Sequence, residues 1–130
     1  MSKHFYPAVF TEEVDGYSVS FPDFDGCFSQ GDTFEEAYEM AVDALGLYLH
    51  EEGKSFEYPK ATHPKNIHAE ENEIIVMIEF DMLEYLKKHN DKSVKKTLTI
   101  PSWLNDIAIK ENVNFSNVLQ NALMEQLNIR

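Results

Sequence analysis

"FPDFDGCFSQGDTFEEA", residues 21–37, runs from the end of one strand through a turn and a second short strand into the start of a helix. Val19 and Phe21 alternate with Ser18 and Ser20, the period of a strand with one buried face. Asp23 and Asp25, beside Pro22 and Gly26, supply turn chemistry through local backbone hydrogen bonds. "GCFSQG" (26–31) reads as a short strand bracketed by glycines, with Cys27 packed in it. "TFEE" is a capping box, in which Thr33 accepts from the Glu36 N–H while Glu36 reaches back. The same stretch gathers Asp23, Asp25, Asp32, Glu35 and Glu36, which raises the question of a metal-dependent nuclease. Such a site needs carboxylates converging from the middle of neighbouring strands on two cations about 3.5–4 Å apart. Here the acids flank a turn or begin a helix, where negative charge complements the macrodipole. "FYPAVF" carries no carboxylate, and "IIVMI" meets none until Glu79. The acids read as scaffold, and no enzyme is expected.

Upstream, Phe5 to Thr11 and Tyr17 to Phe21 flank "EEVDG", whose Asp15-Gly16 pair marks a hairpin turn. Downstream, Ala37, Ala41, Ala44, Leu45, Tyr48 and Leu49 form the apolar side of a helix that Gly53 ends. Residues 54–73, with Pro59 and Pro64, read as irregular. "EIIVMIEF" (73–80) is so apolar that it is expected as a central buried strand. "DMLEYLKKH" follows as a short helix capped by Asp81, and "NDKS" as a polar hinge. Residues 1–92 are thus β-β-β-α-β-α, an α+β domain.

The chain has 130 residues, 43% hydrophobic and 26% charged, enough for one ordinary domain or for a small domain plus a shorter module. One cysteine excludes an intrachain disulfide. The five histidines have no zinc spacing, and neither a nucleophile elbow nor a Gly-rich phosphate loop is present, so no metal or cofactor is expected. The longest apolar run, Ile74 to Ile78, is too short for a bilayer, and the first residues lack a signal-peptide core. A cytoplasmic protein is expected. Charge divides sharply: residues 1–92 hold 20 acids against 7 lysines, a net −13, and residues 93–130 hold 4 basic against 3 acidic residues, a net +1. The acidic part should repel nucleic acid and attract a basic partner.

Residues 93–130 read differently. In "KKTLTI", Lys95, Thr97 and Thr99 point one way and Lys96, Leu98 and Ile100 the other. Pro101 and Ser102 end this strand and open a helix with Trp103, Leu104, Ile107 and Ala108 as an apolar stripe. Asn112 suits a left-handed cap, and Asn114 caps a second helix whose buried face is Phe115, Val118, Leu119, Ala122, Leu123 and Leu127. One strand and two short helices make no core alone. Pairing the strands of two chains in an antiparallel ribbon resolves this, as in the ribbon-helix-helix fold, which this segment resembles. A two-stranded ribbon fits the major groove, so Lys95, Thr97 and Thr99 would meet base edges. The first turn of the second helix, at Asn114, Phe115 and Ser116, would hold a phosphate. Leu98, Ile100, Trp103, Leu104, Val118 and Leu119 would build the dimer. Lys96 departs from the usual apolar residue at its position.

"YPAVF…GYSVSFPDFDGCFSQGDTFEEAYEMAVDALGLYLHEEG" resembles the HicB-type antitoxins over about the first sixty residues, most specifically in "FPDFDGCFSQGDTFEEA". The resemblance implies an incomplete RNase H-like fold without its nuclease acids. It also implies a partner: a small basic ribonuclease toxin of HicA type, which cleaves mRNA and has a double-stranded-RNA-binding-like fold. The expectation is therefore a type II antitoxin in two domains. Residues 1–92 neutralise the toxin; residues 93–130 form a homodimer, or pairs of dimers, on the operator DNA of its own operon. One rival is a ribbon-helix-helix repressor whose front domain senses a small ligand, which calls for an apolar cavity with convergent polar groups. The other is an active RNase H-like nuclease.

Overall fold

A computed structural model describes residues 3–51 and 57–129; Gly53, expected as a helix stop, lies outside them. The chain divides into two compact units, Met1–Asp91 and Lys92–Arg130. The first contains β1 (Lys3–Glu13), β2 (Gly16–Ser20), β3 (Phe28–Gly31), α1 (Phe34–Glu51), β4 (Glu73–Asp81) and α2 (Met82–His89), with one 3₁₀ turn at Pro64–Asn66. The second contains α3 (Ser102–Lys110) and α4 (Phe115–Gln126). It is a mixed α+β chain.

The strands form one antiparallel sheet in the order β3-β2-β1-β4. Tyr6, Ala8 and Phe10 of β1 stand beside Ile78, Val76 and Ile74 of β4, and this face packs under α1. Ala37, Ala41, Leu45 and Leu49, four residues apart or nearly so, are the fully buried stripe of that helix. Two glycines set the approach distances. A Cβ on Gly31 would stand 2.3 Å from the Ala37 nitrogen, and one on Gly46 would stand 2.2 Å from the Tyr85 ring. Gly31 thus lets α1 start directly against β3, and Gly46 lets α2 lie against α1.

Pro7 sits inside β1, where proline is ordinarily excluded because it has no N–H to donate. Its position explains the exception. The Glu12 N–H donates to the Asn72 carbonyl (2.8 Å), so even-numbered β1 residues bond toward β4 and odd ones toward β2. Val9 pairs with Ser20, the last residue of β2, so Pro7 lies one rung beyond the end of that strand. No ladder bond is lost.

Several boundaries differ from the sequence expectations. Val14 and Asp15 form the hairpin tip and Gly16 already belongs to β2. The third strand begins at Phe28, leaving Cys27 buried at the end of the preceding turn. Most consequentially, β4 is an edge strand, not a central one. Ile78 and Phe80 are buried while Ile74 and Met77 are 41% and 39% exposed. An uninterrupted apolar run reports the absence of charge, which a two-sided neighbourhood explains only in part.

Candidate partner and nucleic-acid interfaces

The acids of residues 21–37 lie on the turn before β3 and around the start of α1, and one of them reaches beyond that neighbourhood. Thr33 Oγ1 accepts from the Glu36 N–H (3.1 Å), as a helix cap does, and Asp32, Glu35 and Glu36 are exposed around it. Asp23 behaves otherwise. Its carboxylate accepts from the Thr62 N–H (3.1 Å) and the Thr62 hydroxyl (2.6 Å), tying the turn to the segment after α1. The expected local bonding of Asp23 is corrected by this long-range pair. Tyr6 reinforces the tie by donating its hydroxyl to the Pro59 carbonyl (2.5 Å). Burial pushes the Cys27 thiol up to about 11, so it stays protonated and inert at neutral pH.

Among the described residues no three His, Cys, Asp or Glu side chains are grouped to hold a metal ion. The histidines serve structural contacts instead: His63 Nδ1 accepts from the Lys65 N–H (3.2 Å), and His4 stacks on Tyr58 with ring centroids 3.5 Å apart. A recess of about 480 Å³ lies between α1, β4 and α2. Its rim is charged, with Lys3 against Glu79 (2.9 Å) and Lys88 against Asp43 (3.3 Å). Seven of its ten lining residues are charged, where a small-ligand site carries only a few polar groups. Beside β3 and α1, by contrast, exposed Phe28 and Leu47 share a recess with exposed Asp25, and exposed Met40 shares another with exposed Asp32 and Glu36. That mixture suits a basic protein surface.

In the second unit the caps fall where the sequence places them. Asn114 Oδ1 accepts from the Asn117 N–H (3.1 Å), leaving the N–H groups of Phe115 and Ser116 at the head of α4. Asn112, at φ 55°, ends α3, with the Val113 N–H donating to Ala108 (3.0 Å) and the Asn112 N–H to Ile109 (3.1 Å). Asn128, at φ 56°, closes α4 with the same pair of bonds, to Met124 and Glu125. Sequence reading missed this second left-handed asparagine, although its signal, Asn directly after an apolar stripe, was the same.

The burial expected of the tail is absent within one chain. Neither α3 nor α4 has a buried residue. Trp103 is 64% exposed, and Leu98, Ile100, Leu104 and Val118 are exposed as well; Leu119 is half-buried. Lys95, Thr97 and Thr99 are exposed too, and residues 95–100 form no strand. A strand exists through its ladder, and among the described residues nothing pairs with that segment within one chain.

Residues 6–123 match the family described as HicB-like antitoxin of bacterial toxin–antitoxin systems. The chain belongs to the HicB-like antitoxins. Among HicB-like relatives, the "Antitoxin HicB 1" of Photorhabdus laumondii is 64% identical over 33 residues, 25% of this chain and 21% of that protein. An uncharacterised 14.9 kDa protein of Haemophilus phage HP1 is 29% identical over 103 residues, 76% of this chain and 74% of its own. Among solved structures, a chain of a toxin–antitoxin complex from Streptococcus pneumoniae superposes with a TM-score of 0.59 at 27% identity, covering 96% of this chain and 99% of that one. A crystal structure of antitoxin HicB3 gives 0.52 at 26% identity, over 95% and 97%. A chain of the HicA3–HicB3 complex gives 0.50 at 30% identity, over 60% and 99%. The HicB-like sheet and helices described above thus recur in chains solved together with toxins. Among the described residues no helix is long and apolar enough to cross a membrane.

Proposed function

We propose that this antitoxin neutralises a small basic ribonuclease of HicA type with residues 1–92 and represses its own operon with residues 93–130. The observation that carries the second half is the tail itself: two capped helices with no buried residue and apolar stripes in water. Such a segment needs a second copy, and pairing Leu98 and Ile100 across a two-stranded ribbon supplies one. In that arrangement Lys95, Thr97 and Thr99 face the major groove, and the first turn of α4 at Asn114, Phe115 and Ser116 meets a phosphate. The toxin half is supported by the net −13 of residues 1–92, by the acidic, apolar seam of β3 and α1, and by relatives solved in toxin complexes. In finer terms the front domain is an incomplete RNase H-like fold without catalysis or cofactor, and the protein works in the cytoplasm as a homodimer or a pair of dimers.

Co-expression tests both halves. The protein should restore growth to cells making the toxin of the same operon, and purified protein should shift that operon's promoter DNA in gels. It should leave RNA–DNA hybrids intact in Mg²⁺ or Mn²⁺. Cleavage abolished by Asp23→Ala or Asp25→Ala would instead establish a nuclease.

A further inference from the structure

The strand β3 is one outer edge of the sheet. The Phe21 N–H donates to the Cys27 carbonyl (3.3 Å), so along the register of β2 and β3 the backbone groups of Cys27, Ser29 and Gly31 turn toward β2. Those of Phe28 and Gln30 stand at the outer edge, where no backbone group among the described residues bonds them. A strand of four residues is a poor general template, since brevity is one of the ways an edge is blunted. What lies beside this one is selective. Glu36, Met40, Ala44 and Leu47 follow one another at helical spacing on α1 and line the recesses at the two ends of β3. Phe28, between them, is 70% exposed. Residues 4–53 hold twelve Asp and Glu and not one Lys or Arg. Among the described residues Asp25, Asp32 and Glu36 enter no ion pair.

We propose that an extended segment of the basic toxin adds to the sheet at β3, an assignment that rests on the toxin reading above. The backbone of that segment bonds the N–H and C=O groups of Phe28 and Gln30. Its cationic side chains meet Asp25, Asp32 and Glu36, and an apolar side chain lies against Phe28 and Leu47. In strand addition the backbone bonds supply adhesion and the flanking recesses supply selectivity. Charge decides the occupant. A second copy of this chain would bring acids against acids here, and nucleic acid would be repelled outright. The recess beside β4 suits a basic segment less, because Lys3 and Lys88 stand on its rim.

Binding of the full-length protein to the toxin of the same operon, followed by biolayer interferometry, tests this. Phe28→Ala and Gln30→Pro should each weaken binding by about tenfold or more, as interface anchors do. Gln30→Pro deletes only the outward N–H and leaves the bonds from β3 to β2 in place; Gln30→Ala keeps that N–H and should bind as wild type does. Asp32→Lys should slow association and flatten its salt dependence, and Glu84→Lys, the same charge change beside β4, should slow it far less. Wild-type affinity in both Phe28→Ala and Gln30→Pro overturns the assignment and leaves the toxin reading standing. Loss in Phe28→Ala alone means contact without strand pairing and also overturns it, as does equal slowing by the two lysine variants. A wild type that binds no toxin overturns the toxin reading itself, and the assignment with it. Where Gln30→Pro fails to fold, amide exchange of the wild-type complex decides. The Phe28 and Gln30 amides should become protected when toxin binds, and unchanged exchange overturns the pairing.

Discussion

At Gly31 a methyl group would stand 2.3 Å from the backbone nitrogen of Ala37 and 2.6 Å from its Cα, where nothing is free to rotate away. Gly31→Ala must push the start of α1 off the sheet. It should cost about 2–3 kcal/mol, in the upper range of overpacking, read as a lower urea midpoint at unchanged slope. A midpoint equal to wild type would mean that the strand–helix junction yields. Residues whose work is local were legible in sequence. Thr33, Asp81, Asn112 and Asn114 each bond within a few positions of themselves, and each does what its neighbours imply. Asp23 and Tyr38 were not legible, because their partners, Thr62 and Glu79, lie 39 and 41 residues away.

Elements were legible by period but not by neighbourhood. Alternation and capping located the first hairpin, α1, α2, α3 and α4 within a few residues. The place of β4 in the sheet was hidden, since strand order follows from how the chain returns after α1, and residues 57–72 carry no period to read. The segment 95–100 is the complementary case: its alternation implies a ladder that one chain does not contain. Its phase is testable side chain by side chain. Thr97→Ala and Thr99→Ala should each weaken operator binding by about 1–3 kcal/mol if both threonines touch bases, while the protein stays dimeric. Leu98→Ala and Ile100→Ala should dissociate the dimer and abolish DNA binding with it. Lys95→Ala should lower the salt dependence by about one charge equivalent if it meets a phosphate. Sedimentation and gel shifts on the five variants report the phase. Dissociation of the threonine variants with intact leucine and isoleucine variants would move the register by one residue.

For the molecule as a whole, the uneven charge and the two compact units bear on separability. Residues 1–92 hold the entire sheet and its core, so this fragment should fold, rescue growth against the toxin and fail to shift operator DNA. Circular dichroism, growth curves and gels would compare it with the full chain. A folded fragment that fails to rescue would place toxin recognition in the tail or in the assembled dimer. Charge totals foretold an acidic body and a neutral tail, but not which surfaces the acids leave bare, because that depends on the fold.

The proline of β1 has a consequence for how the chain finds its pairing. A slip of one residue between β1 and β2 would turn Val19, the buried residue of β2, away from the core and is excluded by that alone. A slip of two keeps each side chain on its own face, so hydrophobicity does not distinguish it from the native alignment. In one direction such a slip would set Pro7 opposite Ser20, and in the other Pro22 opposite Val9, in each case at a rung that needs an N–H proline does not have. The two prolines bracket the hairpin like stops on a slide, and the correct alignment is the one in which neither is asked to donate.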